Sequence, residues 1–127
     1  MLLEALAGGP APHQDFTELV PLTADGNLDP LPLFARLLAL PAAEGVALFH
    51  HAIADGLARW VLQAATREDI ATVALGGGCY LNVLLSRLLQ DRLESAGLHT
   101  LQARQAPPND GGIALGQAWV ALCSLET

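Results

Sequence analysis

The chain has 127 residues, 52% of them apolar and 15% charged, which is enough to collapse one hydrophobic core and too short for a second. Thirteen acidic residues against six arginines, with no lysine, leave a formal net charge of −7, so no nucleic-acid partner is expected. The missing lysine also removes a P-loop lysine, a Schiff-base amine and a lysine general base from the available chemistry.

Cys79 and Cys123 are far apart and lack the dense, even spacing of a secreted disulfide framework, which points to a reducing compartment. Met1 is followed by an acidic, proline-containing stretch, and no window of about 18 apolar residues could cross a bilayer. The expectation is a cytoplasmic protein without membrane contact.

Between Gly8 and Leu33, a Gly-Gly-Pro start, Pro12, Pro21, Asp25-Gly26-Asn27, Pro30 and Pro32 forbid a long regular element. Residues 1–30 therefore read as an extended proline-containing lead-in, with at most a short strand at Thr17–Val20. Leu31 to Leu40 predicts a short helix that tolerates Pro32 in its first turn and stops before Pro41. From Ala42 to Thr66, Val46, Phe49, Ile53, Leu57, Trp60, Val61 and Ala64 recur at spacings of three and four, the mark of one buried helical stripe.

Asp69 to Leu75 contains a short aliphatic run ending in three glycines and predicts a strand buried on both faces. Tyr80 to Ala96 returns to helical spacing, with Arg87 four residues before Asp91 and Gly97 where a left-handed terminator belongs. Leu98 to Ala103 predicts a second strand reached by a crossover, Pro107 to Gly112 a turn, and Ile113 to Leu125 a closing helix. The fold class is thus α/β: a few parallel strands with packed helices, too few for a sheet of average size.

Gly76-Gly77-Gly78 lies between a strand and a helix, where backbone N–H groups can receive a phosphate; the plainer reading is only a tight turn. Asn82, expected in that helix's first turn, carries an amide that can donate to a phosphate or sugar oxygen. Pro107–Gly112 would follow the carboxyl end of the neighbouring parallel strand, so both turns should face one crevice. Within it, Asp110 suits either a helix N-cap or a divalent-cation ligand.

Other polar residues read as structural. His50 and His51 are adjacent and point about 100° apart on a helix, so they cannot share a metal; His50 should face the interior or a ligand cleft, and His51 solvent. Cys79 lacks a nearby base and reads as a small packing residue, while Trp60, Tyr80 and Trp119 read as core or rim, with Tyr80 near enough to the glycines to flank a base.

The stretches Val73–Asn82 and Pro107–Gln117, together with Leu48-Phe49-His50-His51, resemble the C-terminal end of the HypF carbamoyltransferases. The resemblance implies a partial actin-like ATPase (ribonuclease H-like) C-terminal lobe, similar to TsaD and TobZ, over residues 31–127. It also implies a role in [NiFe] hydrogenase maturation, in which carbamoyl phosphate and ATP give a carbamoyl-adenylate and the carbamoyl group passes to a HypE cysteine. On that likeness Gly76, Gly77, Gly78 and Asn82 form the nucleotide turn, and Asp110 helps hold a divalent metal ion shared with a missing lobe. Gly76 stands where the family often has a small hydroxyl residue.

The family's HxxxH metal ligands, first-lobe phosphate residues, acylphosphatase-like portion and zinc fingers are absent from the sequence. The implied partners are therefore a HypE-like acceptor protein or a complementary lobe, and the chain is not expected to turn over alone. A non-catalytic, HypF-derived protein-binding or dimerisation module is the alternative. An unrelated α/β scaffold would place the two polar turns far apart.

Overall fold

The computed structural model describes residues 15–125. In place of a strand at Thr17–Val20 there is a helical turn: Asp15 Oδ1 accepts hydrogen bonds from the backbone N–H and the hydroxyl of Thr17. Leu19 and Val20 both donate their N–H groups to the Phe16 carbonyl. This local bonding competes with extended backbone, and it lets Phe16 and Val20 bury together against Leu33 and Ala52. The lead-in therefore shares a core with the helices.

Helix α1 spans Leu31–Leu37, with Pro32 in its first turn, and ends earlier than Leu40. Helix α2 runs Ala42–Glu68 and takes two more residues than the spacing predicts. Its end is set at Asp69, which adopts φ 53°, ψ 47° and, with Ile70, donates N–H to the Ala65 carbonyl. This left-handed cap consumes the start of the expected strand, so β1 covers only Thr72–Leu75.

The residues of α2 that bury most completely are not the large apolar ones but His50, His51, Ala52, Ala54, Gly56, Ala58 and Ala65. Small side chains permit close approach: a Cβ at Gly56 would stand 2.6 Å from Val20 Cγ1. Large neighbours such as Phe49, Ile53, Leu57 and Val61 pack around this seam half-buried, while Trp60 lies on the rim and donates its indole N–H to the Gly26 carbonyl at 2.8 Å. Arg59 joins the same elements, with Nε on Asp55 at 2.8 Å and Nη2 donating to the Val20 carbonyl at 2.8 Å.

The expected helix at Tyr80–Ala96 divides into a 3-10 turn, Gly78–Leu81, and helix α3, Val83–Ser95. Asn82 separates them in extended backbone, φ −73°, ψ 102°. Helix α3 ends as predicted at Gly97, φ 90°, with Leu98 N–H bonded back to the Leu93 carbonyl. Arg87 and Asp91 approach to 3.9 Å, both largely exposed, a pairing of little energetic weight.

Strand β2, His99–Gln102, pairs in parallel with β1, Thr72 opposite His99 and Leu75 opposite Gln102. Helix α3 is the crossover between them and packs chiefly on α2. One face of this two-stranded sheet meets a core of Ala58, Leu75, Leu89 and Leu93. The other face is open, with Thr72, Ala74, His99 and Leu101 exposed. Burial on both faces is thus not met among the described residues, because nothing there covers the second face.

A second 3-10 turn, Asp110–Gly112, leads into helix α4, Ile113–Leu125. The helix forms where expected but closes nothing: Ile113, Leu115, Trp119, Val120, Leu122 and Leu125 are 54–84% exposed. Its substantial contacts among the described residues are with the turn that precedes it. No helix of the described residues is long and apolar enough to cross a membrane.

Candidate functional site

Both polar turns extend from the carboxyl ends of paired parallel strands, and they touch. The Gly77 N–H donates to the Pro108 carbonyl at 2.6 Å. Gly77 makes this contact at φ 113°, ψ 163°, a backbone state open in practice to glycine alone. A Cβ on Gly78 would sit 3.9 Å from Asn109 Cβ, and one on Gly112 would collide with the Pro107 carbonyl at 2.7 Å. The Gly112 approach tightens the second turn on itself, while the Gly77–Pro108 bond and the Gly78–Asn109 contact make the two turns a single surface, which removes the reading in which they lie apart.

In front of that surface the chain leaves room. A Cβ placed on Gly76 or Gly77 would meet nothing within 4 Å, so a ligand can come against the main chain there. Asn82 is the N-cap of α3 and not a first-turn residue: its Oδ1 accepts from Leu85 N–H at 2.9 Å. Its Nδ2 donates to His50 Nε2 at 2.9 Å, and His50 Nδ1 meets the Val46 carbonyl at 2.8 Å.

Asp110 is exposed, and the cap of the second turn is taken by Asn109, whose Oδ1 accepts from Gly111 N–H at 3.1 Å. The Asp110 carboxylate is thereby left without a capping duty. Cys79 is exposed and free, not a packing residue. Tyr80 is half-buried at the edge of the core; burial first, then the neighbouring Cys79, raises its phenol above the ordinary range, so it stays protonated at neutral pH. Trp119 lies exposed on α4, neither core nor rim.

His51 is 7% exposed, against the expectation of a solvated ring, and its Nδ1 is buried without a hydrogen-bond partner among the described residues. It turns inward because α2 is packed on two sides, by the lead-in and by α3. Desolvation, then the Arg92 charge and His50, lowers its pKa and holds it neutral. Sequence spacing misses two working parts of the site: the His50–Asn82 hydrogen bond, which spans 32 positions, and the Pro108 carbonyl. The Pro-Pro pair before Asn109 was the available signal for the second, since proline N–H groups are absent and only carbonyls remain to bond.

Comparison with known proteins bears on this geometry. Residues 1–117 match the family model described as "Carbamoyltransferase, Kae1-like Domain, second subdomain". The chain is similar to carbamoyltransferase HypF2 of Cupriavidus necator, at 49% identity over 80% of this chain and 13% of that protein. It is also similar to carbamoyltransferase HypF of Rhodobacter capsulatus, at 37% identity over 100% of this chain and 16% of that one. The chain thus spans only a small part of the relatives it matches.

Among solved structures, it superposes on full-length HypF in its phosphate- and nucleotide-bound form with a TM-score of 0.81, at 24% identity, over 98% of this chain and 17% of that one. The HypF of T. kodakarensis gives a TM-score of 0.76 at 26% identity, over 99% of this chain and 17% of that one. The fold is therefore a partial α/β lobe of the HypF type, and the chain belongs to the carbamoyltransferase Kae1-like domain family, as its second subdomain.

Proposed function

We propose that this chain supplies one wall of the active site of an ATP-dependent carbamoyltransferase acting in [NiFe] hydrogenase maturation in the cytoplasm. In that reaction carbamoyl phosphate and ATP yield a carbamoyl-adenylate, whose carbamoyl group passes to a cysteine of a HypE-like acceptor. The observation that carries the reading is the Gly77–Pro108 hydrogen bond. It joins a glycine turn with open space before it to the turn bearing Asp110, at the strand ends where α/β sheets bind ligands. Gly76 and Gly78 present main-chain N–H groups to the phosphates, Gly77 contributes the side-chain-free approach while its own N–H is held by Pro108, and Asn82 offers its amide at the N-terminus of α3.

For a divalent cation, Asp110 fits as a single ligand: its carboxylate is exposed and caps nothing. The described residues hold no grouping of three or more His, Cys, Asp or Glu able to bind a metal. The remaining ligands belong to a complementary lobe, and a bound cation would neutralise phosphate charge between the two. With only one wall present, the chain does not turn over alone, because reacting groups must be held from both sides.

Isothermal titration with ATP and Mg²⁺ tests the reading. Binding is expected once the remaining portion of a HypF relative is supplied in trans, and absence of heat under that condition overturns it. A second reading, a non-catalytic dimerisation module, draws on the exposed apolar α4 and the open sheet face. It predicts a stable dimer in light scattering that the complementary portion does not dissociate.

A further inference from the structure

We propose that His50 is a positioning residue for the nucleotide turn: a neutral imidazole, protonated on Nδ1, that locks the Asn82 amide in one orientation. Four groups in a row decide this. Leu85 N–H can only donate, so the Asn82 atom facing it is Oδ1. The other end of the amide, Nδ2, then faces His50 Nε2 at 2.9 Å, and an NH₂ group can only donate, so Nε2 is the unprotonated nitrogen. The Val46 carbonyl can only accept, so His50 Nδ1, 2.8 Å away, carries the proton. Both ends of the chain of bonds select the same tautomer.

Burial makes the selection costly to violate. His50 is 3% exposed and held edge-on by Phe49, with ring centroids 5.5 Å apart and planes at 88°. An Asn82 amide rotated by a half-turn would set NH₂ against the Leu85 N–H and oxygen against the Nε2 lone pair, losing two bonds at once. With the amide locked, one N–H and one lone pair of Asn82 remain for a ligand at the turn. His50 itself touches no ligand and acts only through Asn82. The ligand half of the proposal rests on the nucleotide reading above; the hydrogen-bond half does not.

The test begins on the ¹⁵N-labelled chain. Long-range ¹H–¹⁵N correlation should show His50 protonated on Nδ1 and bare at Nε2; the opposite tautomer overturns the proposal. Asn82→Asp replaces the donor by a carboxylate and should convert His50 to the doubly protonated form; an unchanged ring contradicts the contact. This substitution lies outside the core and does not depend on His50 variants folding.

His50→Phe removes the acceptor and should reduce Leu85 amide exchange protection about fivefold, the worth of a lost cap. His50→Gln, whose Oε1 is as many bonds from the backbone as Nε2, should restore it. With the complementary portion of a HypF relative present, Mg-ATP affinity should fall about tenfold in His50→Phe and recover in His50→Gln. Unchanged affinity in His50→Phe overturns the role at the turn. If the unsubstituted chain binds no ATP even with that complementary portion present, the nucleotide reading fails, while tautomer and exchange still decide the lock.

Discussion

Replacing Gly76 by alanine separates a ligand cradle from a mere turn. No atom of the described chain lies within 4 Å of the new Cβ, and Gly76 is not among the positive-φ glycines. The methyl group is therefore accommodated without strain, and narrowing the unfolded ensemble should add about 0.4–1 kcal/mol of stability. For a domain of this size that raises Tm by about 2–6 °C.

The same methyl projects into the space through which a phosphate reaches the backbone N–H groups. Holding the phosphate off costs at least one charge-assisted hydrogen bond, about 1.5–3 kcal/mol, or roughly tenfold to a hundredfold in Kd. Thermal melts of the chain and Mg-ATP titration with the complementary lobe read the two effects separately. A Gly76→Ala protein that binds ATP as tightly as its parent refutes the cradle. One that melts several degrees lower refutes the open space. Gly77→Ala is less informative, because at φ 113° strain of about 1–3 kcal/mol would confound both measurements.

Other outcomes follow from the packing and the charges. Gly56→Ala gains about 1 kcal/mol of helix propensity but drives a methyl to 2.6 Å from Val20 Cγ1, an overpacking cost of about 1–3 kcal/mol. Urea unfolding should show it neutral or less stable, with Val20→Ala relieving the clash in the double variant; a clear gain in stability would contradict the seam. His51 has its pKa lowered by burial, so the unfolded chain binds its proton first. Stability is full above the unfolded value of about 6.5 and declines as pH falls below it. His51→Leu should flatten the melting temperature between pH 7.5 and 5.5, and an unaltered slope would show that another group titrates. Asp110→Asn should leave the melt unchanged while weakening Mg²⁺-dependent ATP binding about tenfold or more with the complementary lobe present.

What sequence reveals here follows from how local each determinant is. The strand–glycine–helix succession, the Gly97 terminator and the Pro107–Gly112 turn all rest on neighbours within a few residues, and each appears at its expected place. Boundaries shift where capping intervenes, as at Asp69, whose left-handed backbone ends α2 and shortens β1. Burial is legible least well. The α2 pattern suggests that large apolar residues lie deepest, yet Ala52, Ala54 and Gly56 do, because close approach of the lead-in and α3 selects small side chains. His51 turns inward for the same tertiary reason. At the site, the contiguity of the two turns was readable from topology; the His50–Asn82 bond, made across 32 positions, was not.

The union of the lead-in with α2 has a practical consequence for complementation work. A fragment begun at the helical residue Leu31 would discard Phe16 and Val20 from the core and leave the Arg59 guanidinium without the Val20 carbonyl it holds at 2.8 Å. The seam on Gly56 would become a solvent-filled notch, and Trp60 would lose its bond to Gly26. Limited proteolysis should accordingly spare Asp15–Pro30 in spite of its prolines, and any recombinant piece meant to be mixed with a separately expressed lobe should start upstream of Phe16.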